Sequence, residues 1–208
     1  MFNRLTAVIL LCTGFALAAC EPGNAPPTLP PGGTPATIPT QLPAATVGPL
    51  VQTDLSALGL TLLTPSTWKP PAVLNGNILI VSPTGSTDTS AVADPFLMIG
   101  DAQKVASSKL NFAFRPEISD PLQQLDLLMA AINLDAPSFT AAAAYYGARY
   151  PGAITYGFAR DNEMNVILLN LGNNRWLYVG TQAPERYFAY YNDTVFKPAI
   201  NSITLKTS

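Results

Sequence analysis

Short apolar runs separated by turn-forming residues dominate residues 51–208, and they predict a β-sheet. Most of these runs end at or near a proline, glycine or asparagine, which is typical of strands that are buried on one or both faces. The predicted strands are Leu58–Leu63, Asn77–Val81, Pro95–Ile99, Ala153–Phe158, Asn165–Leu171, Arg175–Gly180 and Ile203–Leu205. Gly172-Asn173-Asn174 is the predicted hairpin turn between two of them.

Helical spacing is found twice in the same region. Asp120 is a predicted cap, Pro121 suits the first helical position, and Gln123 completes an Asp-x-x-Gln capping box. Apolar residues then recur every three or four positions as far as Ile132. A final helix is predicted from Pro184, kinked or divided before Pro198. Together these elements predict an α+β fold in which helices sandwich an antiparallel sheet.

The first twenty residues have a different pattern. Arg4 precedes an apolar run that is shorter than the roughly 20 residues needed to span a bilayer, and small residues follow it. Residues 1–19 are therefore a predicted signal peptide. Leu17-Ala18-Ala19-Cys20 is similar to the lipobox of bacterial lipoproteins, which implies cleavage before Cys20 and a diacylglyceryl group on its thiol. Two acyl chains give a stable anchor, so we expect a lipid-anchored protein at the outer face of the cell membrane.

Proline and threonine dominate the stretch between Cys20 and the predicted sheet. Residues 22–50 contain nine of the 20 prolines and no charged residue. Because proline lacks an amide donor and fixes its φ angle, such a stretch favours a polyproline-like tether over helix or sheet. The predicted organisation is a signal peptide (1–19), a lipidated tether (20–50) and one globular domain (51–208).

Composition excludes several kinds of function. The chain has 11 Lys and Arg against 13 Asp and Glu, with no histidine. A weakly acidic balance argues against nucleic acid as a partner, and the absence of histidine removes the commonest general base and metal ligand. Since Cys12 lies in the predicted signal peptide, Cys20 is the one cysteine expected in the mature chain. An internal disulfide is therefore not expected.

Two short motifs at the ends of the predicted domain carry a family resemblance. Gly59-Leu60-Thr61-Leu62 followed by Pro65-x-x-Trp68 resembles the opening of PsbP-like domains, and Phe196-x-x-x-Ile200-x-Ser202-Ile203-Thr204 is similar to their closing motif. The resemblance covers about residues 55–206. It implies the αβα fold that the PsbP subunit of photosystem II shares with the Ran-binding Mog protein. The metal-binding histidines of photosynthetic members have no counterpart in this sequence.

This resemblance favours a lipid-anchored extracytoplasmic module without catalytic activity, cofactor or metal. Such a module would bind or help assemble an unidentified protein or small ligand. All eight tyrosines lie in the second half of the chain, and a tyrosine offers both an apolar face and a polar tip. The candidate binding residues are Tyr145, Tyr146, Tyr150, Trp176 and Tyr178. Alternatively, these side chains cover the sheet and the last helix.

The rival hypothesis is a small cell-surface hydrolase that uses carboxylates, or a serine, without histidine. Ser66-Thr67-Trp68-Lys69 fits the Ser-x-x-Lys signature, but Pro70-Pro71 forbids the helix that this signature requires. We therefore predict a turn with Trp68 packed on the sheet. The carboxylates expected near strand ends are Asp94, Asp101, Asp161 and Glu163. Asp161-Asn162-Glu163 is either a solvated hairpin loop or a cation-binding loop.

Overall fold

Antiparallel strands make up most of the computed structural model, which describes residues 47–74, 78–88, 94–109, 114–132, 138–159 and 161–206. The strands are β1 (Leu50–Leu55), β2 (Leu60–Pro65), β3 (Ala72–Val73), β4 (Ile78–Val81), β5 (Phe96–Asp101), β6 (Ser138–Phe139), β7 (Ala143–Tyr145), β8 (Gly152–Ala159), β9 (Asn162–Gly172), β10 (Arg175–Pro184) and β11 (Thr204–Leu205). The α-helices are α1 (Ala102–Lys109), α2 (Pro121–Ile132), α3 (Glu185–Tyr191) and α4 (Lys197–Asn201). A 3₁₀ turn (Ser56–Leu58) follows β1, and a π-helical turn (Asn192–Phe196) joins α3 to α4.

A large antiparallel sheet forms the centre of the described part of the chain. Its strand order is β3-β4-β5-β10-β9-β8-β6, and β7 also pairs with β8. Asn173 and Asn174, with φ of 51° and 58°, make the tight turn between β9 and β10. Two positive φ angles give the turn a twist that matches the twist of the flanking strands. The predicted hairpin is confirmed at this position.

Helices cover one face of the large sheet. Leu125 and Leu128 of α2 pack with Ala106 of α1, and with Leu168 and Trp176 of the sheet. Residues 166–169 of β9 are buried without interruption, because this strand is covered on both faces. That explains why β9 reads as a continuous apolar run rather than an alternating one.

The opposite face packs against a second sheet and the C-terminal helices. The second sheet has the order β1-β2-β11. Leu60 of β2, Ile167 of β9 and Phe196 of the π-helical turn are fully buried in this layer. Ser202 links the second sheet to α4, because its hydroxyl accepts a hydrogen bond from the Leu63 amide and donates one to the Ala199 carbonyl, each 2.7 Å long. The predicted α+β class, an antiparallel sheet with helices on both faces, is confirmed. The small second sheet was not predicted.

The segment after β2 folds as the sequence predicts. Trp68 is only 9% exposed and belongs to the core between the two sheets, whereas Ser66 and Lys69 are exposed in a turn. Ser66 donates its backbone amide to the Pro49 carbonyl at 2.9 Å. The Ser-x-x-Lys spacing therefore lies outside any helix.

The first strand of the described residues begins one residue before the predicted domain boundary at residue 51. Leu50 is the first residue of β1 and pairs with Pro65, and Val47 packs against the core. β1 is not among the predicted strands, because Gln52, Thr53 and Asp54 interrupt its apolar pattern. Cys20, the predicted signal peptide and residues 20–46 of the predicted tether lie outside the described residues. Within the described part, no helix combines the length and the apolar character needed to cross a bilayer.

The start of α2 is fixed by its predicted cap and by a buried glutamine. The Asp120 carboxylate accepts a hydrogen bond from the Leu122 amide at 3.0 Å, as expected of an N-cap. Gln123 is exposed. Instead of a capping-box contact, the buried neighbour Gln124 donates its side-chain amide to the carbonyls of Arg115 and Ile118. The loop before α2 is thereby held against the helix.

Candidate functional site

A groove of about 390 Å³ lies between the start of α2 and the segment that joins β7 to β8. Its walls are residues 120–122 and 144–152. Three of the five candidate binding residues, Tyr145, Tyr146 and Tyr150, line it. We call this region the tyrosine groove.

Two of these tyrosines are held in place by hydrogen bonds to the C-terminal elements. The Tyr145 hydroxyl donates to the Asn201 side-chain oxygen at 3.0 Å, and the Tyr150 hydroxyl accepts from the Leu205 amide at 3.2 Å. Burial, and then the nearby Tyr156, raise the pKa of Tyr145 to about 12. The Tyr145 phenol is therefore neutral at physiological pH, and its hydroxyl keeps the proton that it donates to Asn201. Both rings also pack against the core, so this wall of the groove is rigid.

The third tyrosine projects into solvent. Tyr146 is 87% exposed, the highest value among the exposed large apolar side chains of the described residues. Gly147 follows it with φ of 113°, and a Cβ there would lie 3.1 Å from the Asn201 side-chain nitrogen. The positive φ favours glycine at this position, and it lets the chain turn beside α4 next to the exposed Tyr146. Arg149 and Asp120 are exposed at the rim, which gives the groove one charge of each sign.

Trp176 and Tyr178 lie on the other face of the large sheet. Strand pairing places Tyr145, Gly152, Leu169 and Leu177 in one row, and the residues that flank Leu177 point away from that row. Trp176 is 2% exposed and meets Phe114 edge-on, with 5.9 Å between the ring centroids. Burial raises the pKa of Tyr178 to about 12. The five candidate residues thus do not share one surface.

The carboxylates predicted near strand ends occupy different places in the fold, with Asp101 at the end of β5 and Asp161 just before β9. Asp161 occupies a turn with φ of 61°, while Asn162 and Glu163 already belong to β9, so the predicted loop is shorter than the sequence suggested. Burial, and then the neighbouring Glu185, raise the pKa of Glu163. Among the described residues, no group of three or more histidine, cysteine, aspartate or glutamate side chains is placed to hold a metal ion.

Sequence reasoning missed the contribution of α2 to the groove. Asp120 and Pro121 line the groove. Their local sequence indicates only the start of a helix and does not show that β7 and β8 pack beside them. A second cavity, of about 190 Å³, was also missed; its lining includes Leu58, Lys104 and Arg175. Arg175 is already engaged there, because its guanidinium donates to the Leu58 carbonyl at 3.1 Å.

No protein-family model and no curated protein sequence matches the chain. Several solved structures are similar to it. A protein of Bacteroides thetaiotaomicron has 9% identity and a TM-score of 0.45; the match covers 78% of this chain and 50% of that one. The chain therefore spans half the length of the Bacteroides protein.

Two further solved structures have a similar level of likeness to the chain. The Ran-binding protein Mog1p of Saccharomyces cerevisiae has 10% identity and a TM-score of 0.46, with 76% of this chain and 96% of that chain covered. The cyanobacterial PsbP of Synechocystis has 10% identity and a TM-score of 0.45, with 78% and 95% covered. The assignment of this chain to the α+β class rests on its own strand pairings and layers.

Proposed function

We propose that this protein is a lipid-anchored extracytoplasmic module that binds, or helps to assemble, a protein partner through the tyrosine groove. The observation that carries the proposal is the groove itself, in which a fully projecting Tyr146 stands beside two tyrosines with fixed hydroxyl groups. Tyrosine is enriched at protein interfaces because a rigid aromatic ring supplies apolar contact at a low cost in conformational entropy.

The groove has the features of a site for a peptide segment. Its volume of about 390 Å³ lies in the range of roughly 300–1,000 Å³ typical of ligand clefts. The fixed rings of Tyr145 and Tyr150 require little ordering when a partner binds, which lowers the entropic cost of association. Tyr146 is then the movable anchor, with Arg149 and Asp120 supplying polar contacts at the rim.

The anchor is the second part of the proposal and is supported by the lipobox-like residues Leu17-Ala18-Ala19-Cys20. We expect wild-type protein to remain with the membrane after carbonate washing, because two acyl chains give stable attachment. Cys20→Ser removes the thiol that would be lipidated, so this variant should stay unprocessed or lose its lipid-dependent attachment. Normal processing and unchanged membrane retention of Cys20→Ser would contradict the anchor.

Site-specific photocrosslinking tests the groove. A benzoylphenylalanine in place of Tyr146, in the full chain in its native membrane, should give a discrete crosslinked species. The matched control is the same substitution at Val73, which is 57% exposed on β3. Equal crosslinking at both positions, or none at Tyr146, would refute the groove as the binding surface.

A further inference from the structure

A second exposed surface lies at the far end of β8 from the tyrosine groove. Tyr156 and Phe158 are two residues apart in this strand, so their side chains point to the same face, and they are 38% and 49% exposed. Helix α3 packs on the neighbouring strands β9 and β10, and these two side chains remain partly exposed beside it. The outer edge of β8 is paired with β6 and β7, so a partner would meet this strand through its face.

Carboxylates border the two rings. Glu163 is the direct cross-strand partner of Phe158. Glu185 opens α3, and its amide donates to the Asp161 carbonyl at 2.9 Å, which fixes the start of that helix beside the end of β9. Glu185 is close enough to Glu163 to raise the pKa of the Glu163 carboxyl, after the larger effect of burial.

The charges around this surface are not balanced by the ion pairs of the described residues. Those pairs join Lys197 to Asp193 and Lys206 to Asp54, and neither includes Glu163 or Glu185. Arg186 is adjacent to Glu185 in sequence, but its guanidinium lies over the Tyr187 ring, 4.7 Å from the centroid. Among the described residues, exposed aromatic rings and carboxylates without an ion-pair partner therefore occur side by side.

We infer that Tyr156, Phe158, Glu163 and Glu185 form a docking surface for a lysine- or arginine-bearing segment of a protein partner. The cationic head pairs with the two carboxylates, and the aliphatic stem lies on the aromatic rings. Charge complementarity selects this occupant, because a cation relieves the repulsion between Glu163 and Glu185 while a neutral or acidic segment does not. Aromatic faces add to the attraction for a cation.

The test uses the full mature chain as a Cys20→Ser variant and a six-residue peptide of alternating lysine and leucine. We expect the peptide to shift the amide NMR signals of Tyr156, Phe158 and Glu163 and to leave those of Tyr146 and Arg149 unchanged. A glutamate–leucine peptide of the same length should not bind. Because Tyr156 lies near Tyr145, the signals of Phe158 and Glu163 decide this inference and those of Tyr146 and Arg149 decide the groove, so each proposal fails or survives alone.

Paired variants make the test specific. Glu163→Gln with Glu185→Gln should weaken lysine-peptide binding by about three- to tenfold, whereas Glu117→Gln with Asp126→Asn removes the same charge from exposed positions elsewhere and should leave binding unchanged. Tyr156→Ser with Phe158→Ser should also weaken it. Equal weakening by both charge pairs, or no shifts at β8, would overturn the inference.

Discussion

Glu163 ionises at a cost to the folded state. Burial and the neighbouring Glu185 raise its pKa above the ordinary value of 4.5, so the folded chain binds this proton more tightly than the unfolded chain. By linkage, the corresponding stability is fully present below pH 4.5 and is lost as the pH rises through the raised pKa. Glu163 and Glu185 are also the two carboxylates that we assign to the docking surface. The proposed binding site therefore includes a charge that costs the folded state stability.

Glu163→Gln should therefore raise the thermal midpoint at pH 7, and its advantage over wild type should shrink towards pH 4, where wild-type Glu163 is protonated. Thermal unfolding of both proteins across this pH range is the measurement. Glu117→Gln, an exposed carboxyl in the loop before α2, is the control and should change little at either pH. A gain from Glu163→Gln that is the same at pH 4 and pH 7 would contradict the explanation.

Trp68 and Ser66 are two residues apart in one turn and have opposite environments. Trp68 is buried in the core between the sheets, so Trp68→Ala should lower the free energy of unfolding by about 3–5 kcal/mol. Ser66 is exposed and uses its backbone amide for its contact with Pro49. Ser66→Ala should cost no more than about 1 kcal/mol. Urea denaturation of both variants checks this order, and a larger loss from Ser66→Ala would contradict it.

At the scale of single elements, the stability of α2 depends on the hydrogen bonds of its first turn. Asp120 caps the Leu122 amide through its side chain, and its carbonyl accepts from the Gln124 amide at 3.1 Å. Asp120→Ala should destabilise the chain by about 1 kcal/mol. Asp126→Ala, at an exposed position of the same helix, should have a smaller effect. Urea midpoints compare the two, and an equal loss from both would indicate that the cap adds no stability.

The elements that the sequence predicts are those with a strong local signal. Strands β9 and β10 are long and apolar on both faces, and α2 carries both a cap and regular leucines. Helix α1 was missed because its buried residues include Ala102, Val105 and Ala106, and alanines give little apolar contrast. Its cap, Asp101, accepts the Lys104 amide at 3.1 Å, but an isolated aspartate is a weak signal.

At the scale of the whole molecule, long-range pairing decides which predicted residues share a surface. β11 pairs with β2 through Thr204 and Thr61, and no local pattern specifies that contact. The tyrosine groove depends on the same kind of packing, since α4 and β11 supply the partners of Tyr145 and Tyr150. Sequence alone could therefore identify tyrosines as candidates. It could not show that Tyr145 and Trp176 lie on opposite faces of the large sheet.

The N-terminal edge of the folded region gives a last prediction for the whole chain. Val47 packs against the core, Pro49 accepts the Ser66 amide at 2.9 Å, and Leu50 opens β1. A chain that begins at Val51 loses these contacts, including one backbone hydrogen bond worth about 1 kcal/mol, together with partly buried apolar surface.

We expect the chain that begins at Val51 to unfold at a lower urea concentration than one that begins at Val47. The loss should be about 1–3 kcal/mol. A chain that begins at Pro39 is the control and should be at least as stable as the Val47 chain, because it keeps residues 47–50 and their contacts. Equal midpoints for the Val47 and Val51 chains would show that β1 is stable without its first residue, and that the boundary predicted from the sequence is sufficient for folding.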